Sequence, residues 1–223
     1  MEIRKTFHQR LREVQDDTLI MGSMVEKATH RAMASLKDRD LEMARHVIDD
    51  DCKVNDKRFE IEEKCVDLIA TQQPMASDLR TIVGILSIIA ELERIGDYAV
   101  GIATNAMMLM NEPPLKLPPA LFSMDEKAGD MLRRSLDAFV KRDTETAVKI
   151  ADEDDVIDGL YDEALHELIQ DMITDPSTVN RATRLIWVAH RLERDGDRVT
   201  NICERVVFIV TGEMEELGGT ICR

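Results

Sequence analysis

The sequence has few aromatic residues, glycines or prolines, and it has no long apolar run. Aromatic residues make up 4% of the 223 residues, alongside ten glycines and six prolines. Met, Leu, Ala, Glu and Arg abound instead, which is typical of an all-helical protein. The longest apolar runs, such as residues 85–90, fall far short of the ~20 residues that span a bilayer. No apolar segment follows Met1-Glu2-Ile3-Arg4-Lys5, so the sequence predicts no signal peptide.

Cysteine is also scarce, with four residues, and the 29 Lys and Arg residues are outnumbered by 44 Asp and Glu residues. Cys52, Cys65, Cys203 and Cys222 form no C-x-x-C pair, which predicts reduced thiols in a cytoplasmic protein and excludes a disulfide framework or a zinc site. The formal net charge of −15 would repel a phosphate backbone, so it argues against nucleic acid and favours cations or a basic protein patch as partners. The sequence has no P-loop, nucleophile elbow or glycine-rich phosphate loop, and we predict a non-enzymatic protein.

A six-residue pattern occurs twice, one hundred residues apart. Leu92-Glu93-Arg94-Ile95-Gly96-Asp97 returns as Leu192-Glu193-Arg194-Asp195-Gly196-Asp197. Each copy belongs to a series of apolar or small residues with alternating steps of three and four, which predicts a long helix with a buried seam. The seam of the first copy is Ile82, Ile85, Ile89, Leu92, Gly96, Ala99, Ala103 and Ala106, and that of the second copy lies at an offset of 100.

The remaining patterns divide the chain into six helices. The first ends near Leu36, the second runs to about Ala70, and the third covers about Ser77 to Met110. Four of the six prolines lie in 111–119, which no helix is expected to cross. Ser123-Met124-Asp125-Glu126 fits a capping box and predicts the start of the fourth helix. A turn at Arg142-Asp143 precedes the fifth, and a sixth runs to Gly212.

These helices are predicted to form two copies of one unit. Residues 36–44 match residues 139–147 at an offset of 103, and the offset falls to 100 in the last helix. A length change confined to a loop is typical of a duplication, although chance similarity between Glu- and Leu-rich helices is the alternative. We predict an all-α protein of two pseudo-symmetric three-helix bundles, with repeats at 1–112 and 122–214, a proline-rich linker at 113–121 and a tail at 215–223.

Paired carboxylates accompany the buried seams. Residues four apart on a helix share one face, and each repeat carries E-x-x-x-D on its third helix and D-x-x-x-[ND] on its second. Such oxygen-rich sets suit Mg²⁺, Ca²⁺, Mn²⁺ or iron better than zinc. The alternative is that these groups are solvated or paired with Arg58, Arg94, Arg194 and Arg198. The predicted metal ligands are Asp51, Asn55, Glu93 and Asp97 in the first repeat, and Asp154, Asp158, Glu193 and Asp197 in the second.

Two other functions remain open at this point. The first is a carboxylate-bridged di-metal oxidase of the ferritin-like type, because Glu163-Ala164-Leu165-His166 matches E-x-x-H. Such a site needs two of these motifs and two further Glu residues, and no second copy stands where the repeat would place it. The other is a metal-free helical adaptor whose acidic face binds basic partners.

Two stretches resemble the PhoU family, the phosphate-signalling accessory proteins of bacteria and archaea. They are Leu92-Glu93-Arg94-Ile95-Gly96-Asp97-Tyr98-Ala99 and the upstream loop Gln73-Pro74-Met75-Ala76-Ser77-Asp78-Leu79-Arg80. The resemblance covers nearly the whole chain, in both repeats. The second repeat has Ser177-Thr178-Val179-Asn180-Arg181 in place of that loop, so a role tied to Asp78 and Arg80 is not expected there. Asn55 stands where an Asp would make the first site more acidic.

The resemblance implies a specific function. It implies the two bundles predicted above, with multinuclear sites for iron, zinc, manganese or magnesium at the paired motifs. It also implies a negative regulator of phosphate uptake and phosphate-starvation signalling that bridges the ATPase of a phosphate ABC transporter and a sensor histidine kinase. We expect a cytoplasmic homodimer that reaches the membrane only through these partners.

Overall fold

The computed structural model describes the backbone of residues 2–218 and the side chains of residues 6–218. Cys222 and residues 219–223 of the predicted tail lie outside this part. The described residues form seven α-helices and no strand, which confirms the all-α class. The helices are α1 Glu2–Asp38, α2 Leu41–Gln72, α3 Ser77–Met110, α4 Pro119–Lys141, α5 Thr144–Asp152, α6 Asp154–Thr174 and α7 Val179–Thr211, and a 3-10 helix at Pro176–Thr178 precedes α7.

The helices pack as two similar groups. Helix α3 lies against α1 and α2, and α7 lies against α4, α5 and α6. The groups meet mainly where α3 contacts α7, with a smaller contact between α1 and α4. The crossing of α3 and α7 is antiparallel, since Glu91 in the middle of α3 contacts Asn201 in the second half of α7, whereas Met108 near the end of α3 contacts Arg184 near the start of α7. The two central helices of the repeats therefore form the middle of the molecule.

The seams predicted from the sequence are buried. All sixteen seam positions of α3 and α7 lie in the interior, including Leu92 and Leu192 at 0% exposure. Burial of apolar side chains is the dominant favourable contribution to folding, about 1.5–3 kcal/mol for each large one. Since the buried residues form one continuous core, the two repeats stabilise each other across the α3–α7 contact.

The turns between helices repeat the same local chemistry. Asp40 caps α2 by accepting from the Met43 amide at 3.0 Å, and Asp143 caps α5 by accepting from Thr146 at the same distance. The residues before them, Arg39 and Arg142, both have a left-handed backbone with φ of 54° and 56°. These equivalent turns lie 103 residues apart, at the offset that the sequence predicted.

Two predicted helix boundaries were wrong. The fourth helix begins at Pro119, so Ser123 lies inside α4 and does not cap it; the fixed φ of proline suits the first position of a helix. The predicted fifth helix is divided at Glu153 into α5 and α6. Glu153 is bound there by Arg134, at 2.6 Å and 2.8 Å, and by Lys127, both from α4. No helix of the described chain combines the length and apolarity needed to cross a membrane.

Candidate metal centre

The first carboxylate cluster lies between α2 and α3. The Asn55 side-chain amide donates to Asp51 Oδ2 at 2.9 Å, and Arg58 Nη1 donates to Glu93 Oε1 at 3.0 Å. Burial and the charge on Glu93 raise the pKa of Asp51, although the Asn55 hydrogen bond lowers it. Burial and the charges on Glu93 and Asp51 raise the pKa of Asp97. The four predicted residues therefore lie close together, and two of them already have protein donors.

The second cluster lies between α6 and α7, at the break in the predicted fifth helix. Asp154 is the first residue of α6, where the positive end of a helix favours a carboxylate. Its Oδ1 atom is buried without a hydrogen-bond partner. A methyl group at position 196 would lie 2.3 Å from this oxygen, so only glycine leaves room for it. The absence of a side chain at Gly196 thus lets the carboxylate of Asp154 approach the backbone of α7.

The charges of the second cluster are poorly compensated. Burial, followed by the charges on Asp158, Asp197 and Glu193, raises the pKa of Asp154 to about 7, although the neighbouring Thr200 hydroxyl lowers it. Burial and the charge on Asp197 also raise the pKa values of Asp158 and Glu193. The basic side chains beside the cluster make only loose contacts: Arg198 Nη2 is 3.8 Å from Asp197 Oδ2, and His190 Nδ1, which carries a charge only when protonated, is 3.3 Å from Glu193 Oε2. A cation would relieve this repulsion.

The residues of the second cluster fit a hard metal ion in their chemistry. They offer carboxylate oxygens, one of them buried and unsatisfied, as Mg²⁺, Mn²⁺ or iron prefers. Even so, no three His, Cys, Asp or Glu side chains within residues 6–218 are arranged so that they could hold an ion. Metal binding would therefore require these side chains to rotate toward one another. In the first cluster it would also displace Arg58 from Glu93.

The weaker sequence motifs lie outside the clusters. Glu163 and His166 are both exposed on α6. Among the described cysteines, Cys65 and Cys203 are buried and Cys52 is exposed, and all three are free thiols. Burial raises the pKa values of Cys65 and Cys203 to about 12, so these two are inert neutral groups of the core.

Sequence reasoning missed the strained loop between α2 and α3. Gln73 and Ala76 both have positive φ, 47° and 46°, although neither is glycine. Strained residues of this kind cost on the order of 1–3 kcal/mol each and cluster at functional sites. Between them Met75 is 79% exposed. The breaks in the hydrophobic pattern at Gln73-Pro74 located the loop, but no sequence signal gave its backbone conformation.

A family model decides the relationship. The model of the PhoU domain matches this chain twice, over residues 18–106 and 121–206. The chain belongs to the PhoU family. A curated relative from Clostridium acetobutylicum, named as a PhoU homolog and phosphate-specific transport system accessory protein, is 39% identical over 215 residues, which cover 96% of this chain and 98% of the relative.

Solved PhoU structures share the fold. The crystal structure of PhoU from Pseudomonas aeruginosa superposes with a TM-score of 0.86 at 36% identity, covering 93% of this chain and all of the other. The crystal structure of the phosphate transport system regulatory protein PhoU from Streptococcus pneumoniae gives 0.87 at 32% identity, covering 95% and 100%. The predicted family and the repeated helical fold are thus confirmed.

Proposed function

We propose that this PhoU-family chain is a cytoplasmic, non-enzymatic accessory protein that represses phosphate uptake and phosphate-starvation signalling. It docks on the ATPase of a phosphate ABC transporter and on a sensor histidine kinase. The observation that carries the proposal is near full-length similarity to relatives named as phosphate-specific transport system accessory proteins. The relatives' names support the transport system, whereas repression and the two docking partners are our inference.

An apolar stripe on α2 and the loop after it supports docking on a protein. We use this term for Phe59, Val66, Ile69 and Met75, which are 56%, 59%, 36% and 79% exposed. Phe59 and Val66 lie seven residues apart, so they share one face of the helix, and that face leads into the strained loop at Met75. Exposed apolar groups in a contiguous patch mark protein interaction sites. We assign the stripe to the transporter ATPase.

Metal binding completes the proposal. The second cluster would hold a divalent or trivalent ion through Asp154, Asp158, Glu193 and Asp197, since burial leaves an unsatisfied carboxylate oxygen there. The first would hold one more weakly through Asp51, Asn55, Glu93 and Asp97. Iron, zinc, manganese and magnesium are the candidates, and the protein is expected to act as a homodimer.

A complementation experiment tests the regulatory function. The chain is expressed in a bacterium that lacks its own PhoU, and a phosphate-starvation reporter is followed with phosphate uptake under phosphate excess. We expect both to be repressed. The variant Met75→Glu should lose repression and fail to capture the transporter ATPase, because a charge would enter the apolar stripe. The control Met214→Glu changes a residue that is 71% exposed outside the stripe. Unchanged reporter and uptake with the wild-type chain would refute the proposal.

A further inference from the structure

A groove between α3 and α7 carries positive charge in a strongly acidic protein. Its volume is about 610 Å³, within the range of small-molecule sites. The walls come from one face of α7 and the last turns of α3. The lining residues are Thr104, Asn105, Met108, Glu112, Asn180, Thr183, Arg184, Trp187 and Arg191. Neither the metal clusters nor the apolar stripe includes any of them.

The two arginines of the groove lack anionic partners within the described chain. Arg191 makes no side-chain hydrogen bond or ion pair there, and its Nε atom is buried. Arg184 Nε is likewise buried and unsatisfied, and its Nη1 atom contacts only the Met108 sulfur, at 2.7 Å, which is a weak and uncharged acceptor. Glu112, the one acidic residue of the lining, lies 4.0 Å from Arg181. Two permanent positive charges therefore remain available to a ligand.

The position of Arg191 depends on a glycine in α3. A methyl group at position 101 would lie 2.2 Å from Arg191 Cζ. Gly101 thus lets the guanidinium pack closely against α3. The Arg191 guanidinium therefore occupies the space that the absent side chain of Gly101 leaves.

The equivalent place at the other end of the α3–α7 contact is closed. Arg191 corresponds there to Glu91, which accepts from Arg198 at 3.1 Å and from Asn201 at 3.2 Å. Arg184 corresponds to Gly84, and a methyl group at that position would lie 2.4 Å from Ile209 Cδ1. At that end the charge of Glu91 is therefore neutralised by its protein partners, whereas Arg184 and Arg191 in the groove have no anionic partner among residues 6–218.

The chemistry of the groove selects a ligand with more than one phosphoryl group. Arg184 and Arg191 are seven residues apart on α7, a rise of about 10 Å along the helix, and both line the groove, so a ligand with two or more phosphoryl groups can pair with both arginines along its length. Guanidinium groups bind phosphoryl oxygens through paired hydrogen bonds. Trp187 lies between the arginines on the same face and is 57% exposed, which suits stacking of a flat ring.

We propose that this groove binds a small anion with two or more phosphoryl groups, with a nucleoside diphosphate or triphosphate as the best fit. Arg184 and Arg191 bind the phosphoryl groups, and the ring of the ligand stacks on Trp187. Condensed inorganic phosphate shares the charged part of this chemistry and lacks the ring. It should therefore bind at the same arginines with lower affinity.

Trp187 supplies the measurement, because it is the only tryptophan in the chain. The full-length protein is titrated with ADP, pyrophosphate and inorganic phosphate in EDTA, which prevents binding through metal ions at the carboxylate clusters, and calorimetry accompanies fluorescence. We expect ADP to quench Trp187 and to bind more tightly than pyrophosphate, and inorganic phosphate to bind most weakly. Arg184→Gln and Arg191→Gln should each weaken ADP binding about tenfold or more, since each removes charge-assisted hydrogen bonds.

Two pairs of variants distinguish a loss of ligand binding from a loss of folding and from a non-specific effect of charge. Arg205→Gln removes one positive charge from the same helix outside the groove, where Arg205 pairs with Glu204 at 3.4 Å, and it should bind ADP as the wild type does. Gly101→Ala keeps both arginines but displaces Arg191, and it should weaken binding severalfold. Gly159→Ala has open space around it and should not. Absence of binding at about 10 mM ADP and pyrophosphate, or equal weakening by Arg205→Gln and Arg191→Gln, would overturn the proposal.

Discussion

The two carboxylate clusters occupy equivalent positions in the two repeats, yet their charges are compensated differently. In the first cluster Asn55 and Arg58 bind Asp51 and Glu93. In the second, Asp158 replaces the amide, and Tyr161 stands where the repeat would place an arginine. Asp154 is left with a buried oxygen that has no partner. One pattern of carboxylates thus produces a cluster with two protein donors in one repeat and a cluster with an unsatisfied buried carboxylate oxygen in the other.

Metal affinity should show the largest difference between the clusters. We expect the second cluster to bind Mn²⁺ more tightly, and Asp197→Asn to weaken that binding about 100-fold by removing a ligand charge. The equivalent change, Asp97→Asn, should affect only the weaker site. Calorimetry with Mn²⁺ on the wild type and both variants measures this. Loss of the tighter site in Asp97→Asn would reverse our assignment.

Substitution of the two equivalent glycines should change stability in opposite directions. Gly196→Ala would place a methyl group 2.3 Å from Asp154 Oδ1 and 2.9 Å from Ile157 Cδ1, and we expect a loss of roughly 1–3 kcal/mol. At Gly96 the nearest atom, Val54 Cγ1, is 3.4 Å away. Gly96→Ala should therefore be neutral or gain up to about 1 kcal/mol, because alanine favours a helix.

Urea unfolding in EDTA measures both glycine variants. A metal-free buffer is essential, since a bound ion would add its own contribution to stability. If both variants lose the same stability, the close approach of Asp154 to α7 is not specific to the second repeat.

Much of the fold followed from the sequence, because it depends on local periodicity. The steps of three and four gave the buried faces of α3 and α7, and the matched turns at Asp40 and Asp143 gave the repeat. The break at Glu153 did not follow, since it involves Arg134 and Lys127 on a different helix. Nor could the sequence show that Arg58 binds Glu93 or that Arg191 packs on Gly101, because both contacts are set by tertiary packing.

The pH dependence of stability should also separate the clusters. The pKa of Asp154 is raised to about 7 in the folded protein, against about 3.9 in an unfolded chain. Between these values the unfolded state releases its proton first, so the metal-free fold loses stability as the pH rises from about 4 to 7. Relative to wild type in EDTA, Asp154→Asn should be more stable at pH 8 by roughly 1–2 kcal/mol, after discounting for solvent screening.

The matched control is Asp51→Asn, whose gain at pH 8 should be smaller. Asp51 accepts a hydrogen bond from Asn55, so its ionised form is already partly stabilised. Thermal melts at pH 5 and pH 8 compare the two variants with wild type. If the melting temperatures of Asp154→Asn and the wild type differ by the same amount at pH 5 and pH 8, Asp154 is ionised in the folded protein at no cost in stability.

The smallest predicted effect comes from making the first cluster resemble the second. Asn55→Asp would remove the amide that donates to Asp51 at 2.9 Å and add a charge beside a carboxylate whose pKa is already raised by burial and by Glu93. We expect Mn²⁺ to bind the first cluster several-fold more tightly and the metal-free fold to lose about 0.5–1 kcal/mol, because the added charge repels its neighbours until an ion binds.

Asp158→Asn, the reverse change, should weaken Mn²⁺ binding at the second cluster and stabilise the metal-free fold by a similar amount. Calorimetry and EDTA melts on both variants test the pair together. If both changes move affinity in the same direction, the residue at this position does not explain the difference between the clusters, and the arginine at 58 becomes the group to exchange next.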